Sequence, residues 1–147
     1  MPLKQKTPLL PYYDVNNKYE ICIDECARGS FFGREYIASV ILPKNDEHFI
    51  NNLDIKDSKK IHNKDKMKLI SDHIKEHALA YHIHYMDACE IDKLNVRQAT
   101  LKGMRECVNQ IIKKVPGSKP EDFFVLVDGN FFTPYMVYDE ESQKNIE

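Results

Sequence analysis

Asp24 and Glu25 are adjacent carboxylates set into the end of an apolar run in "YEICIDECARGSFFG", residues 19–33, and Asp128 closes a second such run, "FFVLVDGN", residues 123–130. If the two runs are neighbouring parallel strands, Asp24 and Asp128 emerge at one carboxyl edge of a sheet, where ligands of open α/β sheets gather. Successive strand residues point to opposite faces, so Glu25 joins them only if the chain leaves regular strand geometry there. The loop that follows, with Gly29 and Gly33, permits such a departure. Three clustered carboxylates repel one another unless cations neutralise them. An all-oxygen set suits Mg²⁺ or Mn²⁺ and disfavours zinc. Two such ions activate a water and stabilise a departing oxygen in phosphodiester cleavage. Taken singly, Asp24–Glu25 also reads as an acidic turn opening and Asp128–Gly129 as a plain turn. On spacing alone the turn and metal-site readings stand level.

Other residues offer different chemistry. "HIKEH", His73 to His77, fits the H-x-x-E-H pattern in which two histidines one helical turn apart bind zinc beside an acid, as in a peptidase. A half-buried helix face explains the same five positions, and His82 and His84, on one face of a predicted strand, read as structural. The stretch "DIKDSKKIHNKDKMK", residues 54–68, has six lysines against three aspartates and reads on composition as a solvated loop and helix start. Cys22, Cys26, Cys89 and Cys107 form no CxxC pair and are expected to be reduced and mostly buried.

The elements that must position these groups follow from periodicity. Residues 1–17, with three prolines and "DVNN", form an irregular N-terminal segment, and regular signals begin at residue 18. Strands are expected at 18–24, 36–42 and 79–86, the first two paired. A helix over 64–78 has Asn63 as cap and Met67, Ile70 and Ile74 on one face; a longer one over 96–115 has Asn95 as cap and Ala99, Cys107, Ile111 and Val115 on one stripe. Gly103, mid-helix, is expected where another backbone comes close. The unalternated run at 123–127 predicts a strand covered on both faces and reached by a helical crossover. The order strand, strand, helix, strand, helix, strand is a mixed α/β domain.

The chain has 147 residues, 42% hydrophobic and 30% charged, enough for one globular domain. The net charge of −2 is uneven: residues 1–120 carry 20 Lys and Arg against 16 Asp and Glu, and residues 121–147 carry one against seven. A near-neutral balance therefore does not exclude a polyanionic ligand. No apolar stretch approaches the ~20 residues that cross a bilayer, so we expect a soluble, intracellular, cytoplasmic protein without membrane association.

"IDECARGSFFG" resembles the first motif of type 2 ribonucleases H, the ribonuclease HII family, usually DEAGRGPxxG. Three further segments agree in order: "DSKKI" (57–61), "EIDKLNVRQATLKGMREC" (90–107) and "VDGN" (127–130). The resemblance implies a ribonuclease H-like mixed sheet flanked by helices over residues 18–147. It implies that Asp24, Glu25 and Asp128 are catalytic carboxylates holding two Mg²⁺ or Mn²⁺ ions. Arg28 and Gly29 would lie in the loop that feels the 2′-hydroxyl at an RNA-to-DNA junction, and Ser58, Lys59 and Lys60 would contact phosphates. The implied activity is endonucleolytic hydrolysis of RNA, or of a single ribonucleotide, in an RNA/DNA hybrid duplex, in the setting of DNA replication and repair.

The sequence departs from the family pattern in two ways. Ala27 stands where the loop usually has glycine, Ser30 replaces the usual proline, and Arg34 and Glu35 give a more charged start to the second strand. The family also carries a fourth metal-binding aspartate, in a glycine-aspartate segment after "DG", and a helix rich in small residues. Neither is reached by Glu147, so the domain reads as C-terminally truncated, and nothing around Asp139, Glu140 and Glu141 resembles that segment. The alternatives are a non-catalytic module that binds RNA/DNA hybrids and, behind it, the zinc peptidase.

Overall fold

The computed structural model describes residues 10, 12–45, 55–129 and 132, with the backbone of 137–139 and 144–146. Residues 1–9, 11 and 54, Asn130 and the side chains of Asp139, Glu140 and Glu141, all named above, lie outside the described residues. The isoleucine-bearing run after Lys18 forms β1 (Tyr19–Cys26), and the β-branched run after Arg34 forms β2 (Glu35–Ile41). They pair antiparallel from Ile21↔Ile41 to Cys26↔Tyr36. After Asn63, whose side chain accepts a hydrogen bond from the Lys66 N–H at 3.0 Å, comes α1 (Lys64–His77). Then β3 (Ala80–Met86) pairs antiparallel with β2. A short α2 (Ala88–Leu94) and a long α3 (Val96–Ile112) cross over to β4 (Phe123–Val127), which lies parallel to β1 from Tyr19↔Phe123 to Ile23↔Val127. The sheet order is β3-β2-β1-β4, and β5 (Val137–Asp139) and β6 (Lys144–Ile146) pair separately and antiparallel.

The predicted order of elements and the parallel β1–β4 pair are present, with four differences. α2 was not anticipated, although Asp87 three residues before Glu90 is a capping signature; the Asp87 carboxylate accepts from the Glu90 N–H at 2.9 Å. The β5–β6 pair was also unforeseen. α3 ends at Ile112 because its last turn tightens: Lys114 and Val115 donate to the carbonyls of Ile111 and Ile112 at 3.0 and 3.1 Å. β4 is only half covered, with Phe124 exposed, where cover on both faces was expected. The tightening and the lost cover both depend on neighbours that local sequence does not specify.

The core lies between one sheet face and α3. Ile21, Ile23, Ile37 and Ile41 point down from the strands onto Ala99, Met104, Cys107, Val108 and Ile111. A Cβ on Gly103 would sit 2.5 Å from Ile37 Cδ1 and 3.3 Å from Met86 Cγ. The glycine therefore makes room for side chains, not for the backbone expected there. The opposite face is lined by Cys22, Val40, Ile83 and Leu126 and faces Ile70 and Ile74 of α1 across a groove of about 540 Å³. The buried carboxylate of Glu20 ties the lead-in segment to β1, accepting from the backbone N–H groups of Tyr13 and Asp14 at 2.7 and 2.8 Å. All four cysteines are free; Cys26 and Cys89 are exposed, so the expectation of mostly buried thiols fails at those two. No helix among the described residues is long and apolar enough to cross a membrane.

Candidate metal and phosphodiester site

Asp24 and Asp128 stand at the carboxyl ends of adjacent parallel strands. The register that pairs Ile23 with Val127 continues one step, and the Asp128 N–H donates to the Ile23 carbonyl at 3.0 Å. Both aspartates line the groove above the second sheet face. Burial, followed by the negative charges of Asp128 and Glu25, pushes the Asp24 carboxyl above the usual aspartate range, against the pull of the Glu25 N–H (2.7 Å) and of Lys59. A carboxyl whose charged form is disfavoured beside a second acid is a place where a divalent cation is stabilised.

Glu25 does not follow Asp24. The departure from strand geometry expected at this point does not occur: β1 stays paired through Glu25↔Ile37 and Cys26↔Tyr36. Alternation thus sends Glu25 to the α3 face. There it shares a small cleft with Arg28, Arg97, Thr100, Asp128 and Gly129. Its Oε1 accepts from the Arg28 guanidinium at 3.3 Å. Asp128, at the strand end, lines both spaces and joins the two faces. Among the described residues no three His, Cys, Asp or Glu side chains are grouped as a metal cage. The oxygen-only donors Asp24 and Asp128 fit Mg²⁺ or Mn²⁺ in kind, with Glu25 reaching the same edge only through the Asp128 side.

The surrounding loop explains two sequence features. Ala27 has φ +65°, the left-handed region in which glycine is usual, and the Ser30 N–H closes a turn on its carbonyl at 3.2 Å. Gly29, third in that turn, has φ +75° with open space where a Cβ would sit, so conformation and not crowding demands glycine. Ser58, Lys59 and Lys60 form an exposed 3₁₀ turn held by Asp57, whose carboxylate accepts from the Lys59 N–H at 3.0 Å. Of the three, Lys59 is near enough to Asp24 to act on its carboxyl. His73 and His77 are neighbours on α1, with ring centroids 4.2 Å apart and His77 Nδ1 donating to the His73 carbonyl at 2.9 Å. No third metal-binding side chain is grouped with them among the described residues.

The motif at residues 90–107 holds residues whose individual roles were not legible before the fold was known. Arg97, Thr100, Leu101 and Met104 line the cleft at helical spacing. Behind it Glu35, 1% exposed, lies within hydrogen-bond distance of Thr100 Oγ1 at 2.7 Å, while its other oxygen is buried without a partner among the described residues.

A family model, Ribonuclease HII, matches residues 21–147. The chain belongs to the ribonuclease HII family. Ribonuclease HII of Parabacteroides distasonis is 36% identical over 127 residues, covering 86% of this chain and 57% of that protein. The Caldanaerobacter subterraneus enzyme is 40% identical over 103 residues, covering 70% and 41%. The chain thus spans about half the length of the curated relatives it matches. The fold is also that of solved ribonucleases H: Bst-RNase HIII in complex with Mn²⁺ superposes with a TM-score of 0.67 at 17% identity, over 94% of this chain and 43% of that one. RNase HII in the PCNA complex from Archaeoglobus fulgidus gives 0.53 at 19% identity, over 75% and 62%. Family membership sets aside the zinc-peptidase reading of His73 and His77.

Proposed function

We propose that this ribonuclease HII-family chain carries the metal-binding edge of an endonuclease that hydrolyses RNA strands, or single ribonucleotides, within RNA/DNA hybrid duplexes. The observation that carries the reading is the Asp24–Asp128 pair at adjacent parallel strand ends, close to a lysine turn. Asp24 and Asp128 would hold divalent metal, with Glu25 completing the set from the cleft side once released from Arg28. When bound, Mg²⁺ or Mn²⁺ supplies charge neutralisation at the phosphate and a more acidic water.

The chain's own residues do the positioning. The released Arg28, with Gly29 beside it, presents a guanidinium and an unencumbered backbone to the 2′-hydroxyl, the group that separates RNA from DNA. Ser58, Lys59 and Lys60 offer a hydroxyl and two cations to the phosphates, fixing the duplex without reading its sequence. The second reading, a non-catalytic hybrid-binding module, is favoured by the turn of Glu25 away from Asp24.

One experiment separates the two. A labelled DNA duplex with one embedded ribonucleotide is incubated with the chain and Mn²⁺, and binding and nicking are measured together. The endonuclease reading expects nicking that is lost in Asp24→Asn and in Asp128→Asn with the fold retained. Binding without nicking selects the module, and nicking that survives in either variant refutes the site.

A further inference from the structure

The loop joining β1 to β2 ends in two adjacent phenylalanines with almost no cover: Phe31 is 99% and Phe32 94% exposed. A scattered exposed apolar side chain is ordinary. Here two stand together, between Arg28 and Arg34, on a loop whose glycines at 29 and 33 have φ +75° and +101°. The fold gains nothing from them, since neither joins the core on α3.

The loop is short and firmly rooted. Cys26 pairs with Tyr36, and Glu35 is buried at the other root. Phe31 is five Cα-to-Cα steps along the chain from Cys26, which limits the reach to under about 18 Å, or roughly five steps along a nucleic-acid strand. The aromatic surface continues below the loop. Arg34 lies over the Tyr85 ring at 4.2 Å, and Tyr85 is 6.1 Å from Tyr36. Tyr36, two residues from Ala38, shares the sheet face of Asp24, which pairs with Ala38. Cations alternating with exposed rings form the kind of surface on which bases stack while phosphates are neutralised.

We propose that Phe31 and Phe32 stack on a nucleobase of the bound duplex beside the scissile phosphate, as a platform or as a wedge into the base step. The inference rests on the hybrid-duplex reading above and names the surface that would grip the bases, separate from the residues that would face phosphate and 2′-hydroxyl.

The chain contains no tryptophan, so Phe31→Trp and Phe32→Trp each introduce a single fluorescent reporter. The full chain is titrated in EDTA with a DNA duplex bearing one ribonucleotide, following indole emission, and binding is followed independently by anisotropy of a labelled copy of the duplex. Both indoles are expected to be quenched as the duplex saturates, and Phe31→Ala/Phe32→Ala to weaken duplex binding by about tenfold or more with an unchanged circular dichroism spectrum. Duplex binding by anisotropy with unquenched indoles overturns the stacking proposal and leaves the functional reading standing. An unmutated chain that binds no duplex overturns the functional reading, and the stacking proposal with it. Indole emission that varies with protein concentration alone, with the double alanine variant converting a dimer to monomer in sedimentation, reassigns the two rings to a contact between copies and also overturns the proposal.

Discussion

Replacing Thr100 with valine removes one hydroxyl and tests how a buried acid is kept at the back of the site. Thr100 Oγ1 is 2.7 Å from Glu35 Oε1 and 2.8 Å from the Val96 carbonyl. A hydroxyl has one proton, so it serves both neighbours only if one of them donates to it. The Val96 carbonyl cannot donate. A protonated Glu35 can, giving a chain from Glu35 through Thr100 to Val96. Burial is the main reason its carboxyl is held above the usual glutamate range, with the charge of Glu25 adding to it and the Arg28 cation opposing. In Thr100→Val the Val96 carbonyl keeps its helical N–H partner, so the loss falls on Glu35, left buried with both oxygens unpaired. Stranding such a group costs about 1–3 kcal/mol. At ~2–4 °C per kcal/mol for a chain near this size, a loss of ~2 kcal/mol lowers the melting temperature by roughly 4–8 °C.

Glu35→Gln is the matched control, because its amide N–H₂ can donate to Thr100 in place of the acid proton. The sign of the pH effect follows from the raised folded-state pKa. Below the unfolded-state value, near 4.5, both states are protonated and the acid costs nothing. As pH rises above it the unfolded chain ionises first and stability falls, levelling off once the folded acid also ionises. The glutamine variant has no such loss, so its melting temperature relative to the unmutated chain should rise from pH 4 to pH 8, as followed by circular dichroism. Parallel pH curves for the two proteins, or a Thr100→Val variant melting within 1 °C of the parent, would refute the neutral-acid chain.

Three further outcomes are expected. Ala27→Gly relieves a left-handed alanine and should raise stability by about 1 kcal/mol in urea melts. Glu20→Gln weakens charge-assisted bonds from the Tyr13 and Asp14 N–H groups and should cost about 2 kcal/mol at pH 7. Burial alone would raise the Glu20 carboxyl, but the Asp14 and Tyr13 N–H groups, Asn17 and Lys44 outweigh it and hold the carboxyl low, so its stabilisation is full at neutral pH and fades as pH falls through the folded-state value, which should narrow the gap between variant and parent in acid. Ile37→Ala, at the centre of the contact between β2 and α3, should cost about 2–5 kcal/mol in the same urea melts.

Much of the site was legible because its signals are local. The run ending at Asp128 reads as a strand, the caps Asn63 and Asn95 announce their helices, and four ordered motifs carry the family resemblance. The strain at Ala27 follows from one residue standing where glycine is usual. Glu35 was visible as a charged start to β2, but nothing nearby says that it is buried against a threonine 65 positions away. Arg97 and Thr100 lay in a recognised motif, yet only the docking of α3 turns them toward Glu25 and Asp128.

What the sequence determined by itself was the order of β1 to β4 with α1 and α3, the apolar stripe of α3 and the carboxylates at two strand ends, since periodicity and capping are properties of neighbouring residues. What only the tertiary structure decided was the direction of each carboxylate. Pairing of β1 with β2 through Cys26 keeps the strand pleated, which sends Glu25 to the face opposite Asp24, whereas the parallel docking of β4 brings Asp128 to the edge they share. Register is fixed by partners far along the chain, and a shift of one residue would exchange the faces.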